Sequence, residues 1–158
     1  MRILVFSDTH RRYSAMENAI FCEPQAKHIF FLGDVLADID EIAPFFPDRV
    51  FHTIYGNCDS LRIGPPYKTE VINGIKIVYT HGHMFNVKWS PDELQKLAIH
   101  EKADIVLYGH THIAKTEYDH GVYFINPGSV SEPRGGTGPS YAAIDIVPSG
   151  IMPIIKPL

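Results

Sequence analysis

Residues able to hold metal ions are gathered in five short blocks: Asp8-Thr9-His10, Gly33-Asp34, Gly56-Asn57-Cys58-Asp59, His81-Gly82-His83 and Gly109-His110-Thr111-His112. Oxygen and imidazole donors without principal thiolates suit Mn, Fe, Zn or Ni better than an iron–sulfur cluster. Asp8 and His10 are two residues apart, as are His110 and His112, so an extended chain would project each pair to one side. Such a pair can grip one ion or reach two neighbouring ones. A carboxylate such as Asp34 can bridge two ions held about 3.5–4 Å apart, the spacing of two-metal hydrolytic sites. Gly33, Gly56, Gly82 and Gly109 stand beside these residues, where a sharp turn or close backbone approach is needed.

Taken singly, each candidate has an ordinary explanation. A lone Asp or Asn after a strand is usually a turn former, and a lone His a surface or hydrogen-bonded residue. The joint pattern resists that explanation because every block follows an apolar run. Ile3–Phe6, Ile29–Leu32, Val50–Tyr55, Ile75–Thr80 and Ile105–Tyr108 read as strands, and Val122–Ile125 runs likewise into Asn126-Pro127-Gly128-Ser129. Loops beyond the carboxyl ends of strands are where α/β sheets collect ligands.

The elements that must position these loops follow from periodicity and turn chemistry. Ser14–Phe21 reads as a helix opened by a Ser14/Glu17 capping box. Ile39–Pro44 reads as a short helix ended by its proline and capped by Asp38 or Asp40. Ser90–His100 reads as a helix with Ser90 as N-cap and Pro91 at the first helical position. Tyr67–Ile72 and Ile75–Thr80 form a hairpin across Asn73-Gly74, a pair suited to a type I′ turn. Ile113–Glu117 with Val122–Ile125, and Ala142–Val147 with Ile151–Ile155, form two more strand pairs. An early βαβαβ half followed by hairpins predicts two packed sheets with helices outside.

The bulk numbers bound the reading. The 158 residues fit one domain spanning 1–158, with 45% hydrophobic and 20% charged residues and no repeat. A net charge of −4 supplies no global field for nucleic acid, and independent duplex binding is not expected. The Met1–Phe6 run is too short for a secretory core, and no window approaches the roughly 20 apolar residues of a membrane span. With only Cys22 and Cys58, the chain reads as cytoplasmic with reduced thiols. Cys22 is expected in the helix-face core. The tail Ile151–Leu158, or an exposed strand edge, would allow a homo-oligomer.

Together the motifs D-x-H, G-D, G-N-x-D, H-G-H and G-H-T-H, in this order over residues 8–112, resemble the calcineurin-like metallophosphoesterase superfamily. The resemblance is greatest to its small single-domain bacterial and archaeal phosphodiesterases, and Asn126–Ser129 with the strand-rich tail extends it over nearly the whole chain. It implies an α/β (α+β) four-layer αββα sandwich with metals at one edge of the inner sheets. Asp8, His10 and His112 would hold one divalent ion, Asn57, His81 and His110 a second, and Asp34 would bridge them. Mn2+ is favoured, with Ni2+, Fe2+ or Zn2+ also suited. The implied reaction is phosphodiester hydrolysis of a small substrate by a water or hydroxide between the ions, with Asp34, Asn57 and His81 as the catalytic set. Asp59 would stand behind the ligands, orienting Asn57 or a histidine.

This chain departs from the family at one place. Many members carry histidine after the Gly-Asn, proposed to protonate the leaving oxygen, whereas this chain carries Cys58. A thiol is a weak donor with an ordinary pKa near 8.5, a poor substitute. His83 is the alternative acid by proximity, and Arg134 in its Gly-rich loop is a candidate phosphate contact. Arg11 and Arg12 read as solvent-facing. The competing function is a Vps29-like protein-binding scaffold that retains metal, and a retired site of that kind should have lost ligands. Here the set is complete.

Overall fold

The computed structural model describes residues 1–158. Its first half is the expected alternation: β1 (Arg2–Phe6), α1 (Ser14–Cys22), β2 (Ala26–Phe31), α2 (Ala37–Ile42) and β3 (Val50–Thr53). The second half is hairpin-rich: β4 (Lys68–Ile72), β5 (Ile75–Tyr79), α3 (Asp92–Glu101), β6 (Ile105–Leu107), β7 (Lys115–Asp119), β8 (Val122–Asn126), β9 (Ser140–Val147) and β10 (Gly150–Pro157). The strands form two five-stranded sheets, ordered β10-β9-β1-β2-β3 and β4-β5-β6-β8-β7. β1, β2 and β3 run parallel, as do β5, β6 and β8, so three strand ends of each sheet point the same way.

Three apolar clusters define four layers. Ile3, Val5, Phe30 and Leu32 of the first sheet meet Ile77, Ile105, Leu107 and Ile125 of the second between the sheets. Leu4, Phe6, Ile29 and Phe31 face outward against Met16, Ile20, Ile39 and Ile42 of α1 and α2. Val78, Val106 and Phe124 carry Leu94, Leu97 and Ala98 of α3 on the opposite side. The alternation along β1 and β2 therefore serves two cores, which is why those strands read as continuous apolar runs. The architecture is the expected αββα sandwich.

Local details differ from expectation. Ser14 and Glu17 make no capping box; Tyr13 is the N-cap of α1 and has no side-chain hydrogen bond. Neither Asp38 nor Asp40 caps α2, and Pro44 lies within a following 3-10 turn, Ala43–Phe45, instead of stopping the helix. α3 starts at Asp92 with Pro91 as its N-cap, one residue later than expected, although the Ser90 hydroxyl still accepts from the Asp92 amide (3.2 Å). Asn73 and Gly74 have φ of 50° and 80°, both positive as a type I′ turn demands. β7 begins at Lys115 instead of Ile113, because residues 110–114 are drawn into the loop after β6. Cys22 is exposed at the end of α1 and takes no part in the core.

One buried charge ties the sheet to α1. Glu23 accepts from Arg2 (2.8 Å), Lys156 and Tyr141, linking β1, β9 and β10 to the helix end. Burial alone would raise its pKa, but Lys156 and Arg2 hold the carboxyl below its ordinary value. A depressed folded-state pKa contributes stability above the unfolded value and loses it as pH falls through the folded one. Glu23→Gln should cost about 2 kcal/mol at pH 7, less than a fully buried pair because Arg2 and Lys156 keep some solvent. Denaturant titration should show the gap to wild type closing below about pH 4.

Candidate metal centre

The site forms where strand ends of both sheets meet, and its backbone is unusual. Asp8, His10, Asp34, His110 and His112 all have left-handed φ, between 46° and 66°. Non-glycine residues seldom adopt this region, and when they do the surroundings must hold them there. The D-x-H and H-x-H segments are thus not extended, contrary to the expectation from their spacing. The curl separates His110 from His112 instead of placing them side by side.

His112 joins Asp8, His10 and Asp34. One ligand atom from each of these four lies within 4.8 Å of every other. His112 Nε2 is 3.1 Å from Asp8 Oδ1 and 3.5 Å from His10 Nε2; His10 Nε2 is 3.9 Å from Asp34 Oδ2. The His112 Nδ1–H donates to the Glu132 carbonyl (2.7 Å), which aims Nε2 into the cluster. Asp8 Oδ1 is buried without a hydrogen-bond partner, and the nearest imidazole nitrogen, His112 Nε2, stands 3.1 Å away. A buried carboxylate oxygen without a donor among imidazole lone pairs fits a cation.

His110 turns toward a second group. Its ring centroid is 5.1 Å from that of His81. The His81 Nδ1–H donates to the Leu32 carbonyl (2.7 Å), again leaving Nε2 as a lone pair. That Nε2 faces Asn57 Oδ1 at 3.1 Å and Asp34 Oδ1 at 3.5 Å. Asp34 thus turns Oδ2 toward His10 and Oδ1 toward His81. Burial, and then the neighbouring His81, push the His110 pKa down to about 4, keeping the ring a neutral donor. Burial alone would lower His112 too, but the Asp8 carboxylate holds its pKa above the ordinary value.

The supporting contacts explain the glycines. A Cβ on Gly56 would lie 2.1 Å from Asp34 Oδ1, and one on Gly109 would lie 2.1 Å from Ser7 Oγ. Asp59 does not touch Asn57 or a histidine, as sequence reading expected. Its carboxylate accepts four backbone N–H groups: Asp34 (3.1 Å), Val35 (3.1 Å), Leu36 (2.6 Å) and Gly56 (2.6 Å). It therefore locks the Asp34 turn to the Asn57 turn. Three supports escaped sequence reading. Asp38, read as a cap, accepts from Thr9 Oγ1 and the Arg11 amide; Asn126 Nδ2 donates to the Gly109 carbonyl and Thr111 Oγ1; Ser129 Oγ donates to the Asp8 carbonyl. The Asn126–Ser129 block was visible as a turn beneath the site, but nothing in its spacing showed which loops it braces.

The remaining candidates flank the centre. Cys58 is exposed, its amide donates to Asp34 Oδ1 (2.8 Å), and its sulfur accepts from Asn57 Nδ2 (3.2 Å). Partial burial of the sulfur, and then Asp34, push the thiol up to about 11. It is neutral at pH 7. The His83 ring stands 5.3 Å from that of His81 and 6.1 Å from that of His110, and its buried Nδ1 has no partner. Arg134 is exposed and its amide donates to the His112 carbonyl (2.9 Å). Arg11 and Arg12 are exposed, as expected.

This arrangement has known counterparts. The model of the calcineurin-like phosphoesterase superfamily domain matches residues 1–148, and the chain belongs to that superfamily. The phosphodiesterase YfcE of Escherichia coli K12 is 30% identical over 169 aligned residues, covering 92% of this chain and 88% of that protein. A predicted phosphoesterase of Streptococcus pneumoniae superposes with a TM-score of 0.79 at 25% identity, covering 98% of this chain and 97% of the other. The zinc complex of Vps29 from Entamoeba histolytica superposes with a TM-score of 0.73 at 21% identity, covering 99% and 98%, a likeness of fold. No helix is long and apolar enough to cross a membrane.

Because Asp59 holds two ligand turns through four N–H bonds, Asp59→Ala should reduce divalent-metal affinity about 10- to 100-fold. Calorimetric titration of the metal-free protein with Mn2+ would read this; an unchanged affinity would show that the turns hold themselves.

Proposed function

We propose that this protein hydrolyses phosphodiesters with two divalent metal ions, Mn2+ favoured, held by Asp8, His10 and His112 on one side and Asn57, His81 and His110 on the other, with Asp34 shared. The observation that carries the reading is the opposed aim of the two Asp34 oxygens, toward His10 and toward His81. Bound there, the ions would supply an activated water nucleophile and neutralise charge on the phosphate oxygens. The protein's own part is to aim the ligands and hold them in place. Hydrogen bonds from Nδ1 to backbone carbonyls orient the His81 and His112 rings, and the depressed His110 pKa keeps that ring neutral.

The weakness of this chemistry lies at the leaving group. Cys58 borders Asp34 and Asn57, but a neutral thiol held up at about 11 is a poor proton donor. Esters with good leaving groups need little protonation, so these are the favoured substrates. A scaffold role is less well supported, because both imidazole groups and the bridging carboxylate remain intact.

With Mn2+ added, the protein should hydrolyse aryl phosphodiesters faster than monoesters. Asp34→Asn should lower kcat at least 100-fold while the fold, followed by circular dichroism, is kept. Activity indifferent to that change or to chelation would reject the two-metal reading. Cys58→His should raise rates most for alkyl esters and least for nitrophenyl esters. A uniform gain across the series would mean that leaving-group protonation is not what the cysteine limits.

A further inference from the structure

A cavity of about 450 Å³ opens beside the metal centre on the α3 side of the second sheet. Its apolar lining comes from Val87, Leu94, Tyr108 and Phe124, the last three of which belong to the core beneath α3. Trp89 forms part of the wall, yet 90% of its surface is exposed. An indole held so open, at the edge of a cavity with an aromatic floor, has a free face for a second ring.

The cavity reaches the loop that carries two of the candidate ligands. Thr111, between His110 and His112, lines it, and so do Lys88 and Arg134. Neither side chain has an ion-pair or hydrogen-bond partner, whereas Lys115 in the same lining is paired with Glu117. Two unpaired cations thus share the lining of an aromatic-walled cavity with Thr111, the residue between two candidate ligands. Their charge complements a phosphate at the metals and the wall complements a planar group attached to it.

We propose that this cavity binds an aromatic ester arm of the substrate, the arm that stays on phosphorus. The proposal deepens the phosphodiesterase reading and rests on it. Anchoring the unreacting arm positions phosphorus throughout the displacement, whereas an anchored leaving arm would oppose its own departure. The cavity's size suits either a phenyl group or a nucleoside. A monoester has no second arm to place there, so the cavity selects diesters.

Trp89 is the chain's single tryptophan, so its fluorescence reports on this wall alone. Metal-free protein titrated with diphenyl phosphate or with dithymidine monophosphate should show saturable quenching, and with dimethyl phosphate none. Whichever aromatic diester quenches identifies the arm as aryl or nucleoside. Lys88→Gln and Arg134→Gln should weaken that binding several-fold. In the Mn2+-loaded enzyme, phenyl 4-nitrophenyl phosphate and methyl 4-nitrophenyl phosphate share a leaving group and differ in the retained arm. Trp89→Ala should cut the preference for the phenyl arm about tenfold through KM, and Trp89→Phe should restore most of it. Absence of quenching by both aromatic diesters, or an equal fall for both nitrophenyl substrates, would overturn the proposal. Quenching without any metal-dependent hydrolysis would instead refute the phosphodiesterase reading and leave the cavity's aromatic preference standing.

Discussion

The centre depends on how closely the ends of β2 and β3 approach each other. At Gly33 and Gly56 the two turns are in such contact that a Cβ on either would lie within 3 Å of the other's backbone or of Asp34. Asp59 then clamps both with four N–H bonds, which fixes the Asp34 carboxylate between two imidazole groups. Every other ligand is measured from that carboxylate. The first sheet brings Asp8 and His10 to it, and the second brings His81, His110 and His112.

The two sheets contribute differently. The first supplies carboxylates, the carboxamide and one imidazole, on turns braced by Asp38 and Asp59. The second supplies the other three imidazoles, two of which are aimed by Nδ1–H bonds to backbone carbonyls. One of those carbonyls, Leu32, belongs to the first sheet's strand end, so the relative position of the sheets is built into the aim of His81. Packing between the sheets, through Ile3, Val5, Leu32, Ile77 and Leu107, therefore also sets the ligand geometry. Left-handed backbone at five of the seven candidate ligands is the local strain this convergence tolerates.

The face beside the centre carries the features that shape a substrate. Cys58 borders the shared carboxylate on the first sheet's side, where it offers little acidity. On the second sheet's side, Trp89, Lys88 and Arg134 border an apolar cavity. The metals would set the class of reaction, and these flanking groups its range of esters. α3 has two roles here, since Leu94 both packs the outer core and floors the cavity.

Much of this was legible in the chain before folding. Apolar runs of strand length ending in Asp, His, Asn and Gly mark the strand ends as the site, because alternation and turn chemistry are local properties. The Asn73-Gly74 hairpin was readable for the same reason. The Ser14/Glu17 box and the caps assigned to Asp38 and Asp40 failed because those side chains had competing partners or none. Asp38 is taken by Thr9 and Arg11, which only folding brings near. Likewise, spacing alone placed His110 and His112 on one side, while curled backbone divides them between two groups. Sequence by itself determined which residues could ligate and that they would gather beyond the strands. Tertiary structure decided which atoms meet, because the distance between residues as far apart in the chain as His10 and His112, 102 positions, is set by sheet packing and not by the chain between them.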